Sequence, residues 1–345
     1  MSYPHHFVSL DVKTHADYFA QAIYRGLTAK EKSLPLKYLY EASGDARLFE
    51  RLTHSDRCYM TQAEDTLLTR FAPRIVQRLQ DNTALVKLGN RNGKPLRRAA
   101  EALARQGAAQ FAPIDITGDF LSHSIQRLQQ DYPDLNLLGV IADYPAGMKL
   151  LNHTRLQPRL LLWLGSDISH VEYAEAARLL RENMVAELKP GDHLLLGIDL
   201  KKPPEMLHAA YGCTDQDSAV RKVSLAFARH ALHRINRELQ ADFAPENFGY
   251  HCHYNPERGC MQIYLRSTCP QQAHITDLGL YVGFAQDEHI LIHESYKYSQ
   301  EDIRTLVDAI GLKLEQQWVD EERLYSLNLL AAGDSTPTPA VQSST

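Results

Sequence analysis

The stretch from Ala84 to Ala104, ALVKLGNRNGKPLRRAAEALA, carries residue types that suit a nucleotide-like ligand. Ala84-Leu85-Val86-Lys87 reads as a short buried strand. Leu88 to Lys94 holds Gly89, Asn90, Asn92 and Gly93 and reads as a turn. From Pro95 the apolar residues Leu96, Ala99, Ala100, Leu103 and Ala104 recur at helical spacing. Proline fits a first helical turn, where its missing N–H has no partner to lose. In a strand–glycine turn–helix unit the glycines let the backbone come close to a ligand, and the free amides of the helix start face it. An ordinary tight turn has the same outline, so the stretch needs support from elsewhere in the chain.

That support comes from strand ends. Lys87, Asp115, Asp143, Ser166 and Asp199 all fall where a predicted strand gives way to a loop. In parallel sheets ligands sit beyond the carboxyl ends of the strands. An acidic residue there can accept ribose hydroxyls or an adenine amino group, or it can cap the next helix. A second cluster, His251-Cys252-His253 with Cys260 nearby, admits a zinc reading. The absence of CxxC or HxxxH spacing favours the plain one. If this segment is a strand, His251 and His253 share a face and Cys252 points away. The five cysteines are odd in number and scattered, which predicts reduced cytosolic thiols rather than a disulfide framework.

The elements that must hold these residues alternate. A helix over 14–30 has Tyr18, Phe19, Ile23 and Leu27 on one side. Thr61-Gln62-Ala63-Glu64 reads as a capping box that starts the helix leading to the first strand. Strands within 108–116, 137–142, 159–164 and 194–200 are separated by helices over 120–132 and 172–188. This predicts a mainly parallel sheet covered on both faces. Residues 201–298 break the rhythm: helices over 206–211 and 219–239, then strands over 249–254, 260–267, 279–284 and 289–296. A helix over 300–310 and a strand pair in KLEQQWVDEERLYSLNLLAA return to the first sheet.

The 345 residues, 44% hydrophobic and 23% charged, describe an ordinary globular chain long enough for two lobes. A net charge of -5 gives no reason to expect nucleic acid. The sequence has no run of about 18 apolar residues and no signal-peptide pattern at its start, so no membrane and a cytoplasmic location are the expectations.

Several longer motifs span nearly the whole chain: SLPLKYLYEASGDARLFERLTHSDRCYMTQAE, FAPIDIT, LLWLGSDIS, LKPGDHLLLGIDLKK, HRINRELQADF, SYKYS and the closing Trp318-x-Asp320. In these the chain resembles the histidine Nα-methyltransferase family of ergothioneine biosynthesis, which also includes fungal dimethylallyltryptophan N-methyltransferases. The resemblance implies an α/β chain with a class I S-adenosylmethionine methyltransferase Rossmann-like sheet and an inserted α+β substrate lobe. The expected division is 62–199 plus 298–332 for the first, 14–61 plus 200–297 for the second, and a disordered tail over 333–345. By the same resemblance Gly89, Lys94, Asp115, Asp143 and Tyr144 fall at cofactor positions. Tyr59, His170, Tyr211 and His293-Glu294-Ser295 fall at positions facing an amino-acid-like substrate. No side chain is assigned a catalytic role, Tyr59 and Tyr211 serving to position.

The sequence departs from that family at defined points. Its ELGSG turn is here Lys87-Leu88-Gly89-Asn90-Arg91, an acid replaced by lysine and a glycine by arginine. Its substrate-holding asparagine is His170, and its imidazole-holding glutamate is His293, with Glu294 one place along. Glu294 could face the substrate only if a bulge turned it inward. These changes predict an S-adenosylmethionine-dependent N-methyltransferase for which free L-histidine is a poor substrate, the two histidines suiting an acidic or hydrogen-bond-accepting group. Two alternatives stand beside it: an enzyme using the cofactor without methyl transfer, and a non-catalytic paralogue serving as a binding or partner subunit to another pathway protein.

Overall fold

The computed structural model describes residues 7–9, 15–34, 59–89, 110–116, 118–133, 135–154, 156–165, 167–215 and 218–333. Lys94, the rest of the turn after Gly89, the helix expected from Pro95, Ser166 and residues 334–345 lie outside them.

In chain order the strands are β1 (Phe7–Ser9), β2 (Ala84–Leu88), β3 (Gln110–Asp115), β4 (Asn136–Leu137), β5 (Gly139–Ile141), β6 (Arg159–Trp163) and β7 (His193–Asp199). They continue with β8 (Phe248–Asn255), β9 (Cys260–Ser267), β10 (Gln271–Ile275), β11 (Leu280–Phe284), β12 (His289–Tyr296), β13 (Leu312–Val319) and β14 (Tyr325–Ala332). The helices are α1 (His15–Thr28), α2 (Tyr59–Val76), α3 (Gly118–Asp131), α4 (Tyr144–Asn152), α5 (Tyr173–Asn183), α6 (Pro204–Ala210), α7 (Ala219–Glu238) and α8 (Gln300–Ile310).

Nine strands form one sheet in the order β1-β5-β3-β2-β6-β7-β14-β13, with β4 beside β3. All pairs up to β7 are parallel, whereas β14 runs antiparallel to β7 and to β13. This is the Rossmann-like class I arrangement, in which the strand order reverses between β2 and β6. The strands are apolar runs because both faces are covered. Ala84, Val86 and Leu88 pack under α4, α5 and α8, while Leu85 packs under α2 and α3. Leu161 and Trp163 of β6 face the first layer, Leu160 and Leu162 the second. Each fully buried leucine contributes about 1.5–3 kcal/mol.

The chain leaves this sheet after Asp199 and returns at Lys297. Between these points β12-β9-β8 form a three-stranded antiparallel sheet and β10-β11 a hairpin. Phe227, Ala231, Leu232 and Ile235 of α7 pack with Phe19, Ile23 and Leu27 of α1 against Phe248, Leu265 and Ile290. Strand β10 is absent from the sequence expectation because Gln271 and Gln272 hide the alternation. Among the described helices none is long and apolar enough to cross a membrane.

Two expectations are corrected. Helix α2 already includes Tyr59, so Thr61 lies inside it and Glu64 does not reach back to a cap. Glu64 is instead buried at 1% exposure, where its carboxylate accepts hydrogen bonds from the Tyr325 hydroxyl and, at 2.7 Å, from the Gly165 amide. The cysteines are not all reduced: Cys213 and Cys252 form a disulfide, while Cys260 and Cys269 are free.

Candidate functional site

The reversal of strand order opens a crevice at the carboxyl ends of β2 and β6, the place where doubly wound sheets take ligands. Gly89 closes β2 with φ of +68°, its amide donating to the Ile114 carbonyl at 3.0 Å. A Cβ at Gly89 would lie 2.6 Å from the Tyr144 hydroxyl and 3.5 Å from Asp167 Oδ2, so a side chain is excluded by both conformation and space. Asp115 ends β3 and is 6% exposed. Asp143 caps α4, its Oδ1 accepting from the Ala146 amide at 2.8 Å, so the cap reading of this strand-end acid is realised. Gly89, Asp115, Asp143 and Tyr144 thus share one end of the sheet.

Lys87 is buried at this rim, its Nζ donating to the Leu88 carbonyl at 2.9 Å. Burial pushes the Glu64 carboxyl above the usual carboxylate range, with the hydrogen bonds from Tyr325 and Gly165 and the charge of Lys87 opposing the shift.

A polar network lies where the chain leaves and re-enters the large sheet. Tyr59 Oη donates to Asp199 Oδ2 at 2.8 Å. Lys297 Nζ lies 2.8 Å from the same oxygen, and Lys202 Nζ donates to Asp199 Oδ1. Lys297 also donates to the Tyr211 hydroxyl at 2.9 Å and to Ser295 Oγ at 2.6 Å, and Tyr211 donates to Ser295 Oγ at 2.9 Å. Lys202 donates further to the Tyr59 hydroxyl at 3.1 Å and to the Leu200 carbonyl at 2.6 Å. An ammonium has three N–H groups. Both lysines spend all three inside the protein, which makes them supports for hydroxyls rather than ligand-binding groups. Burial alone would raise the Asp199 carboxyl, but Lys297 and Lys202 together hold it below its ordinary value. Burial alone would lower Lys297, but Asp199 and Tyr211 hold it above its ordinary value.

The candidates Tyr59, Tyr211 and Ser295 are therefore brought together, and the sequence reading missed what joins them. Asp199 stands there among the strand-end acids without partners. Lys202 follows three residues later, and Lys297 continues the period-two face of His293 and Ser295. That periodicity is the signal that could have found Lys297.

His170 and His293 also meet, their rings in an edge-on contact with centroids 4.8 Å apart. His170 sits in the single turn Asp167–His170 that follows β6, with Nε2 3.8 Å from Asp167 Oδ1. Glu294 does not join them. The β12–β9 register shifts between Leu291 and His293, so that His293 pairs with Ile263 and Glu294 with Gln262. A bulge is present, but it precedes His293, so His293 keeps the face of Ser295 by simple alternation and Glu294 stays turned away. The Glu294 carboxylate accepts from Gln262 Nε2 at 2.7 Å and from Arg258 at 3.1 Å, with the Tyr296 hydroxyl at 3.2 Å. Burial, then the charges of His170 and Lys297, keep the His293 imidazole well below its usual pKa. It is neutral near pH 7 and does not carry the positive charge that an acidic substrate group would call for.

The disulfide anchors this site from behind. Cys252 lies on β8, and Cys213 lies two residues after Tyr211. The Tyr211 carbonyl accepts from the Tyr250 hydroxyl at 2.9 Å, and Gly212 turns at φ +70° against the Arg221 backbone. On the opposite face of β8 the rings of His251 and His253 lie 5.8 Å apart, His251 stacking on His289 at 4.9 Å. Among the described residues no group of three or more His, Cys, Asp or Glu side chains could hold a metal ion.

Comparison with known proteins agrees with this layout. A histidine N-alpha-methyltransferase of Mycolicibacterium smegmatis is 31% identical over 319 residues, covering 91% of this chain and 96% of that protein. The protein of that name from Mycobacterium tuberculosis is 30% identical over 310 residues, covering 90% and 93%. An L-tryptophan methyltransferase of Psilocybe serbica is 24% identical, covering 91% and 92%. The family model described as "Histidine-specific methyltransferase, SAM-dependent" matches residues 19–332. With a match of that reach over a sheet of this order, the chain belongs to the histidine-specific methyltransferase family, and it is an enzyme whose cofactor is S-adenosylmethionine.

Proposed function

We propose that the enzyme methylates the amine of an amino acid or a related small molecule other than free histidine. The missing side chain at Gly89 lets the Tyr144 hydroxyl lie directly against the end of β2, which supports a cofactor site built from these residues. Gly89, Asp115, Asp143 and Tyr144 would hold it, Asp115 at the ribose and Asp143 with Tyr144 at the adenine. S-adenosylmethionine supplies an electrophilic methyl group carried on a sulfonium. The protein's own task is to present a neutral amine in line with that group.

The observation that carries the substrate half of the reading is the face of β12. Ser295 Oγ accepts from Lys297 and from Tyr211. With its acceptor positions taken, its O–H is left to donate, which suits a carboxylate or carbonyl of the substrate. Tyr59 and Tyr211 are fixed beside it by the two lysines. Strand β12 itself offers no carboxylate on that face, since Glu294 is turned away and held by Gln262 and Arg258. A substrate imidazole lying on β12 would therefore find no carboxylate from that strand to accept its N–H. The relatives named as methyltransferases of histidine and of tryptophan support an amino-acid substrate and favour methyl transfer over the two alternatives.

The test is a mass-spectrometric assay with S-adenosylmethionine and a panel of amino acids and simple amines. The expected result is methyl addition to a panel member other than L-histidine. Efficient formation of trimethylhistidine would reject the exclusion of free histidine.

A further inference from the structure

We propose that His293 accepts the proton of the substrate amine and that His170 carries it outward, with Asp167 steadying His170. The proposal rests on the amine-methylating reading above. An amine bound as its ammonium has no lone pair to offer. One proton must pass from its nitrogen to a base before attack, leaving a neutral amine and a protonated imidazole. No other co-reactant is required.

Asp167, His170 and His293 form a path between the cofactor crevice and the substrate network. Asp167 Oδ2 would lie 3.5 Å from a Cβ on Gly89, which puts it at the rim of the glycine turn. Its other oxygen is 3.8 Å from His170 Nε2, and the His170 ring is 4.8 Å from that of His293. His293 shares the β12 face with Ser295 and Lys297. Its Nδ1 is buried and has no hydrogen-bond partner among the described residues. A buried ring nitrogen left in this state is costly; an N–H of a bound amine is the partner that explains it.

The surroundings favour a base at this position. From the residue after β12, Lys297 acts on His293; from the turn after β6, His170 does so, backed by Asp167. From β7, Asp199 is committed to Lys297, Lys202 and Tyr59. Tyr211 is bound to Lys297 and Ser295. Burial first, and then the electrostatic influence of His170 and of the Lys297 ammonium, keep His293 neutral until a proton arrives and disfavour its retention. The His170 side chain is 29% exposed, an outlet toward water.

The experiment compares the wild type with His293→Gln and His170→Gln, using the panel amine that the wild type methylates best. Turnover is followed against pH. Affinity for the amine is read by calorimetry with S-adenosylhomocysteine present, which also confirms that each variant folds. Imidazole protonation is read by carbon-13 NMR of histidine-labelled protein. In His293→Gln, kcat should fall about 10²–10⁴-fold while the dissociation constant moves less than about threefold. The acid limb of the kcat–pH profile should vanish. The His293 resonance should move toward its protonated position when the amine ligand binds, and stay in place with the deaminated analogue. In His170→Gln the loss should be smaller and restored by added imidazole buffer. A His293→Gln enzyme that keeps kcat within about threefold, or loses kcat and affinity in equal measure, overturns the proton-acceptor role and leaves the functional reading standing. Failure of the wild type to methylate any amine overturns both.

Discussion

Asp199 carries the heaviest electrostatic demand of any side chain in the substrate network. One carboxylate faces two buried ammoniums, and the outcome is unequal. Lys297 is held above its ordinary value, whereas Lys202, desolvated and repelled by Lys297, falls below its own. Removing the carboxylate leaves both cations without a counter-charge, a change that costs about 3–5 kcal/mol in buried pairs. Asp199→Asn should therefore lower unfolding stability by about that amount at pH 7. Because the folded-state pKa of Asp199 is depressed, its contribution is complete above the unfolded carboxylate value of about 3.9 and is lost as pH falls through the lower folded value. The difference between wild type and variant in urea unfolding should then hold from neutral pH down to about 4 and shrink below it. A difference that stays constant into the acid range would show that the charge of Asp199 is not what stabilises the site.

At the scale of elements, the disulfide and the strand β12 hold the side chains proposed to face the substrate. The disulfide joins the Tyr211 turn to β8 across 39 residues of sequence. A cross-link closing a loop of that length stabilises by about 2–4 kcal/mol, mainly through the unfolded chain. Reduction with dithiothreitol, or the paired change Cys213→Ser and Cys252→Ser, should lower stability by about this amount and raise KM for the amine, with cofactor affinity unchanged. Equal KM in the oxidised and reduced enzyme would separate the cross-link from Tyr211 positioning. Neither the disulfide nor the bulge in β12 is legible in the sequence. Cys213 and Cys252 have no spacing that announces a pair, because the tertiary path of β8 brings them together. The bulge is a matter of register that the alternation of HILIHESY does not announce; it falls before His293, so the expected opposition of His293 and Glu294 is kept. What is legible follows from local pattern. RLLLW and HLLLGID are buried on both faces and read as strands, and SQEDIRTLVDAIG shows both its Ser299 capping box and its glycine stop. Thr61 to Glu64 matches the capping-box pattern equally well, yet Glu64 is drawn inward by Tyr325 and Gly165, residues far away in sequence. Tyr59, Tyr211 and Ser295 could be placed at a site from resemblance, but Lys297 could not be paired with Asp199 until the sheets met.

Across the whole molecule, the excursion from Lys201 to Tyr296 begins and ends at one point of the large sheet. The Lys201 amide donates to the Tyr298 carbonyl at 2.9 Å, the Tyr298 amide to the Asp199 carbonyl at 3.0 Å, and the Leu200 amide to the Leu324 carbonyl at 3.0 Å. The Asp199–Lys297 pair sits on this crossing, so the contact that sets the substrate hydroxyls also clamps the smaller sheets to the larger one. The proposed cofactor site lies on β2, β3 and β5, whose strands owe their order to apolar packing on both faces. Lys297→Met keeps Asp199 paired with Lys202 and so removes the clamp without stranding a charge. In that variant the amides of Leu200, Lys201 and Tyr298 should exchange with solvent about tenfold faster or more, while those of β2 and β6 keep their protection, as expected when opening is local rather than global. Affinity for S-adenosylmethionine should stay close to that of the wild type, because additivity holds for distant, independent sites. Exchange that quickens uniformly over all strands would mean that the pair stabilises the fold as a whole, and that the two sheets are held together by packing alone.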